Sequence, residues 1–157
     1  MHNTENSKML FIIRDLVQEK KRDGERVIIT CGCFSILHPG HLDYLKQCKL
    51  VADYLIVGIN SDEYIEQYKK GIFHFSQEQR KMMLEELRSV DKVFIFHEKN
   101  FVNCLEIIKP NIFAKGTDYK SKIDPYEQRV CDLNNIRVLI LGKEKLYNSS
   151  DIADFYR

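Results

Sequence analysis

Short, wholly apolar runs alternate with amphipathic stretches along the chain. From Met9 to Arg22, apolar residues stand at 9, 10, 12, 13, 16 and 17. This three-to-four spacing predicts an amphipathic helix, stopped near Gly24. Val27-Ile28-Ile29-Thr30-Cys31 is β-branched and nearly all apolar, as a strand buried on both faces requires. The pattern then predicts a helix over residues 40–51 and a second buried strand over 54–59. Ser76 and Gln79 have capping-box spacing and open a helix that reaches about residue 89. A third strand is predicted over 92–96, a helix from Asn100 to just before Pro110, and a short fourth strand over 112–114. Asp124 precedes Pro125 as an N-cap precedes a proline at the first helical position, and that helix runs to about residue 134. A fifth strand over 137–141 and a closing helix over 150–157 complete the pattern.

Strands alternating with helices predict an α/β fold: a doubly wound, parallel, five-stranded sheet with helices on both faces, plus an N-terminal helix. The 157 residues are expected to form one domain, with residues 8–24 as a helical extension in front. Ligands of such sheets bind outside the carboxyl ends of the strands, where strand order reverses.

Charge narrows the partners. Lys plus Arg is 24 and Asp plus Glu is 23, a net of +1. This balance argues against a broad basic surface for nucleic acid, yet leaves room for a small cationic pocket. No apolar run is long enough to span a bilayer, and the polar first eight residues lack the features of a secretory signal. Cys31, Cys33, Cys48, Cys104 and Cys131 are odd in number and scattered, so they read as reduced, structural thiols of a cytoplasmic protein.

The chemistry concentrates after the first strand, in Gly32-Cys33-Phe34-Ser35-Ile36-Leu37-His38-Pro39-Gly40-His41. Two histidines three apart flank Pro-Gly at the mouth of a helix. Gly40 allows close backbone approach, and the first-turn N–H groups favour an anion. His38 and His41 add donors on the same side, which together make a phosphate cradle. No acid or thiol pattern stands close enough to turn His-x-x-His into a zinc site, so no resident metal site is expected.

This segment, in the context Gly-x-Phe-x-x-x-His-x-Gly-His, resembles the signature of the HxGH nucleotidylyltransferases. Asn60-Ser61-Asp62, Glu78-Gln79-Arg80, Val90-Asp91 and Lys115-Gly116-Thr117-Asp118-Tyr119 are similar, in order, to the cytidylyltransferase-like branch. The Lys-Gly-x-Asp-Tyr run and the helical lead-in look most like the adenylyltransferase domain of ADP-heptose synthase, with glycerol-3-phosphate cytidylyltransferase next. The resemblance covers roughly residues 8–155 and implies a Rossmann-like fold. It also implies attack by an acceptor phosphate on the α-phosphate of a nucleoside triphosphate, with release of pyrophosphate. ATP and a sugar phosphate such as heptose 1-phosphate are the favoured pair; CTP with glycerol 3-phosphate is the alternative, and a non-catalytic nucleotide-binding module a second. Mg²⁺ would arrive with the triphosphate, and a homodimer is compatible with the family.

The resemblance also distributes roles. His38 and His41 would hold the triphosphate and steady the transition state, beside Gly32, Cys33, Phe34 and Gly40. Lys69 would contact the phosphates, although Lys69-Lys70 before Gly71 reads by itself as a solvated loop. Arg80 and Arg88, eight residues apart, would share a helix face toward triphosphate or acceptor, or else be ordinary exposed helix arginines. Lys115, Gly116 and Asp118 would lie beside base and acceptor, with an Asx turn as the other reading of Asp118. Ser149 and Ser150 would bind nucleotide phosphates at a helix start, compatibly with N-capping by Ser150. The chain departs from the family at Ser35, where an aspartate is usual, and at Asn148, which replaces a serine.

Overall fold

A computed structural model describes residues 2–117 and 123–142. Helix α1 (His2–Arg22) leads into β1 (Val27–Gly32), α2 (Pro39–Leu50) and β2 (Tyr54–Asn60). Two helices follow, α3 (Asp62–Tyr68) and α4 (Gln77–Glu85), then β3 (Lys92–Phe96) and α5 (Val102–Ile108). The described part ends with β4 (Ile112–Gly116), α6 (Pro125–Leu133) and β5 (Arg137–Leu141). The closing helix expected over 150–157 lies outside the described residues.

All strand pairs are parallel and the order is β3-β2-β1-β4-β5. The chain builds outward from β1 to β3, then returns to place β4 on the other side of β1. The order therefore reverses between β1 and β4, and the crevice above their carboxyl ends is the expected ligand position.

Helices cover both faces. Ile28 and Ile29 are adjacent and fully buried, yet belong to separate apolar layers because successive strand side chains point to opposite faces. Ile28, Val57 and Ile59 pack with Leu45 of α2 and Leu84 of α4. Ile29 packs with Phe94, Phe113 and Phe101, together with Leu10, Ile13 and Val17 of α1. The stripe of α1 is thus used inside the molecule, against α5 and the sheet. It is narrower than the periodicity suggests: Ile12 is exposed.

Several boundaries shift for local reasons. The helix α1 begins at His2, well before its apolar stripe. Helix α3 was not expected from the pattern; only Ile65 of its seven residues is buried, and its start is set by the Ser61 hydroxyl accepting the Tyr64 N–H at 3.2 Å. Phe101, rather than Asn100, is the N-cap of α5, while the Asn100 side chain takes the Val102 N–H at 3.2 Å. Asp124 caps α6 as expected, accepting from Tyr126 and Glu127. All five cysteines are free thiols. Burial pushes the Cys48 thiol up to about 12 and that of Cys131 to about 11.

Candidate nucleotide site

The segment after β1 is held in a specific shape. Gly32 ends the strand, and a Cβ there would stand 3.1 Å from the ring of Phe34. Phe34 takes a left-handed backbone (φ 48°), which turns the chain sharply while its ring stays buried. That ring lies 5.0 Å, centroid to centroid, from His41.

His38 is the N-cap residue of α2, extended at φ −138° and ψ 166°, and Pro39 occupies the first helical turn. The imidazoles of His38 and His41 stack, their centroids 3.7 Å apart and their planes 19° from parallel. Gly40 lies against this pair: a Cβ would come within 3.0 Å of the His38 ring. A side chain at this position would force that ring to give way by a few tenths of an ångström. The His38 N–H donates to Nδ1 of His41 at 3.3 Å. An Nδ1 that accepts carries no proton, so the ring proton of neutral His41 sits on Nε2 and makes that atom a donor. Two stacked rings at the N-terminus of a twelve-residue helix thus surround the positive end of its dipole.

The loop is fixed to the sheet by Arg80, which differs from its expected role. Its side chain is wholly buried. Nε donates to the Phe75 carbonyl at 2.9 Å, and Nη1 to those of Cys33 and Asn60 at 2.7 and 2.8 Å. Nη2 meets Oδ1 of Asp62 at 2.7 Å. The guanidinium is engaged by the protein rather than presented to a triphosphate. Arg88 does not share its face: α4 ends at Glu85, and Arg88 lies beyond it, exposed. Burial alone would raise the Asp62 carboxyl, but a backbone hydrogen bond from Gln77 and the Arg80 guanidinium outweigh it and hold the group below the usual carboxylate range. Ser35 is braced through its backbone, its carbonyl accepting the Phe75 N–H at 3.3 Å. The Cys33 thiol donates to Oδ1 of Asn60 at 3.4 Å.

Lys69 is the exposed C-cap residue of α3. Lys115 ends β4 together with Gly116, but it is buried, with Nζ 2.9 Å from Oε2 of Glu127 and 4.9 Å from the Phe113 ring centroid. Glu127 escaped the sequence reading, since an acid in the first turn of a capped helix is ordinary. Asp118, Ser149 and Ser150 lie outside the described residues. Asp91 belongs to the opposite end of the sheet, where Oδ2 accepts the Leu55 N–H at 2.8 Å and pairs with Lys49.

A polar cleft of about 180 Å³ opens at the strand ends, lined by Gly32 of β1, Asn60 of β2, Phe96 of β3 and Lys115 of β4. Tyr64, Lys99, Asp124 and Glu127 also border it. It adjoins the histidine loop at Gly32 and sits where the strand order reverses.

The model of the cytidylyltransferase-like family matches residues 29–152, which contain the histidine loop, all but the first two residues of β1, and strands β2 to β5. The chain belongs to this family. It is similar to the bifunctional protein HldE of Campylobacter jejuni, 38% identical over 142 residues that make up 89% of this chain and 30% of that protein. It is likewise 37% identical to HldE of Wolinella succinogenes over 111 residues, 70% of this chain and 23% of that one. It thus spans less than a third of the curated relatives it matches. Among solved structures, the lipopolysaccharide core biosynthesis protein of Thermoplasma volcanium superposes with a TM-score of 0.66 at 28% identity, over 78% of this chain and 100% of that one. Pantoate-beta-alanine ligase of Francisella tularensis superposes with a TM-score of 0.65 at 17% identity, over 92% of this chain and 69% of that chain, a likeness of fold. The chain is a nucleotidyltransferase-like domain on a Rossmann-like sheet.

Proposed function

We propose that this protein transfers a nucleoside monophosphate, with ATP the favoured donor, to a sugar phosphate such as heptose 1-phosphate. An oxygen of the acceptor phosphate attacks the α-phosphorus. The bond from that phosphorus to the bridging oxygen breaks, and pyrophosphate leaves with the electron pair. No enzyme nucleophile is required; the protein supplies placement and charge neutralisation.

The observation that carries this reading is the stacked His38–His41 pair at the start of α2, in the loop that follows β1, whose last residue Gly32 borders the polar cleft at the strand ends. In this reading the Nε2–H of His41 and the N–H groups of the first helical turn would neutralise charge growing on the phosphoryl oxygens. The acceptor would occupy the cleft. Among the described residues no group of three or more His, Cys, Asp or Glu side chains gathers to hold a metal. Mg²⁺ would arrive with the triphosphate, bound largely by its oxygens, and would offset their charge.

Pyrophosphate release with ATP, CTP, GTP or UTP, Mg²⁺ and a panel of sugar and alcohol phosphates tests the proposal. ATP with heptose 1-phosphate is expected to give the highest kcat/KM. His41→Ala should lower turnover about 10²-fold, the scale of losing one transition-state donor. Nucleotide binding without pyrophosphate from any pair would replace the enzyme with a binding module.

A further inference from the structure

A buried ion pair bordering an open cleft needs a reason. The side chains of Lys115 and Glu127 are only 9% and 5% exposed. Well-packed apolar residues at such a place are commonly as stable or more so, because two desolvated charges recover little net energy. Here the pair is also held rigidly. Oε1 of Glu127 accepts the Phe101 N–H at 3.0 Å, at the start of α5, while Oε2 meets Lys115. Lys115 is anchored from its other side by the end of β4 and the face of Phe113.

We propose that Lys115 and Glu127 are the specificity-determining pair for the acceptor, reading two adjacent hydroxyls of a sugar in this cleft. A vicinal diol offers paired donors and acceptors at one spacing. One hydroxyl oxygen accepts from the Lys115 ammonium while its neighbour donates to the Glu127 carboxylate. A carboxylate offers about four acceptor directions, and the Phe101 N–H and Lys115 account for two of them. Asn60 and Tyr64, which also line the cleft, supply further neutral hydrogen-bonding groups. The remaining bulk of the ligand is therefore hydroxyl-rich, rather than a quaternary amine or a short alkyl chain. This inference rests on the proposed transfer reaction for the presence of an acceptor, and it assigns Lys115 to that acceptor rather than to the nucleotide.

Two readouts test it. Calorimetry measures binding of heptose 1-phosphate, hexose 1-phosphates and their single deoxy analogues to the intact chain. Turnover with Mg-ATP measures kcat/KM for the same set. Wild type should prefer the parent sugars over one particular deoxy pair by about 10²-fold or more, since a polar site left unpaired rejects the analogue strongly. Lys115→Met and Glu127→Gln should remove that preference while ATP affinity, titrated separately, stays within about two-fold. If either single variant unfolds because it strands a buried charge, Lys115→Met/Glu127→Leu removes both charges and serves instead. Lys115→Arg should restore part of the preference. Equal preference in wild type and double variant would overturn the assignment, as would a parallel loss of ATP affinity. Sugar binding that depends on the pair without any turnover would sustain the assignment and overturn the transfer reaction. Turnover with unchanged sugar preference would do the reverse.

Discussion

A guanidinium with no exposed side-chain surface must have its charge and hydrogen bonds met inside the protein. Arg80 meets them with three carbonyls from separate segments and with Asp62, whose side chain is 30% exposed. The arginine therefore acts on the site through the Cys33 and Asn60 carbonyls, as a positioning residue. Asp62→Asn would leave a buried cation without its counter-charge, and should lower unfolding stability by about 3 kcal/mol, measured by urea titration. The carboxyl's pKa is depressed in the fold, so its contribution is complete above the unfolded-state value. It should be lost as pH falls through the lower folded value. Acid unfolding of wild type should thus steepen below about pH 4, and Asp62→Asn should flatten that limb. Stability curves of wild type and variant that run parallel down to pH 2 would show that the pair contributes nothing.

Helix α1 is an element whose worth is measured by what it covers. Leu10, Ile13 and Val17 have no exposed surface and close the apolar layer around Phe101. Ile13→Ala should destabilise by about 2–5 kcal/mol, and removing residues 1–24 should yield an aggregating chain that binds hydrophobic dye. A truncated chain with native circular dichroism and melting would mean that α1 is dispensable. Elements of this kind were readable in advance because burial leaves a periodic mark. The strands over 54–60 and 92–96 are nearly continuous apolar runs, and Ser76 and Asp124 announce their helices through capping chemistry. Helix α3 left almost no mark, with a single buried side chain in seven residues. The site was legible where chemistry is local, as in His38-Pro39-Gly40-His41. It was not legible where partners come from distant segments: Arg80 is 47 residues from Cys33, and Lys115 takes its counter-charge from the next helix. Charge alone marks such side chains as surface residues.

At the scale of the whole molecule, the net charge of +1 conceals a redistribution. Among the basic side chains expected around one strand-end cleft, His38, His41, Lys69, Arg80, Arg88 and Lys115, two hold carboxylate partners: Arg80 pairs with Asp62 and Lys115 with Glu127. On the proposed reading, triphosphate affinity would depend chiefly on the histidine pair, the α2 N-terminus and exposed lysine and arginine side chains, whose attraction is screened by salt. A ligand bound only by the folded state adds about 2.7 kcal/mol at a hundredfold excess over Kd, which for a chain of this length raises Tm by roughly 5–10 °C. Mg-ATP should produce such a rise in scanning calorimetry at low salt, and about half of it at 0.5 M salt, where the Debye length shrinks to about 4 Å. His41→Ala should lose most of the rise at either salt, because it removes both a donor and half of the stacked pair. A full rise in His41→Ala, unchanged by salt, would place the triphosphate away from α2 and overturn the site described above.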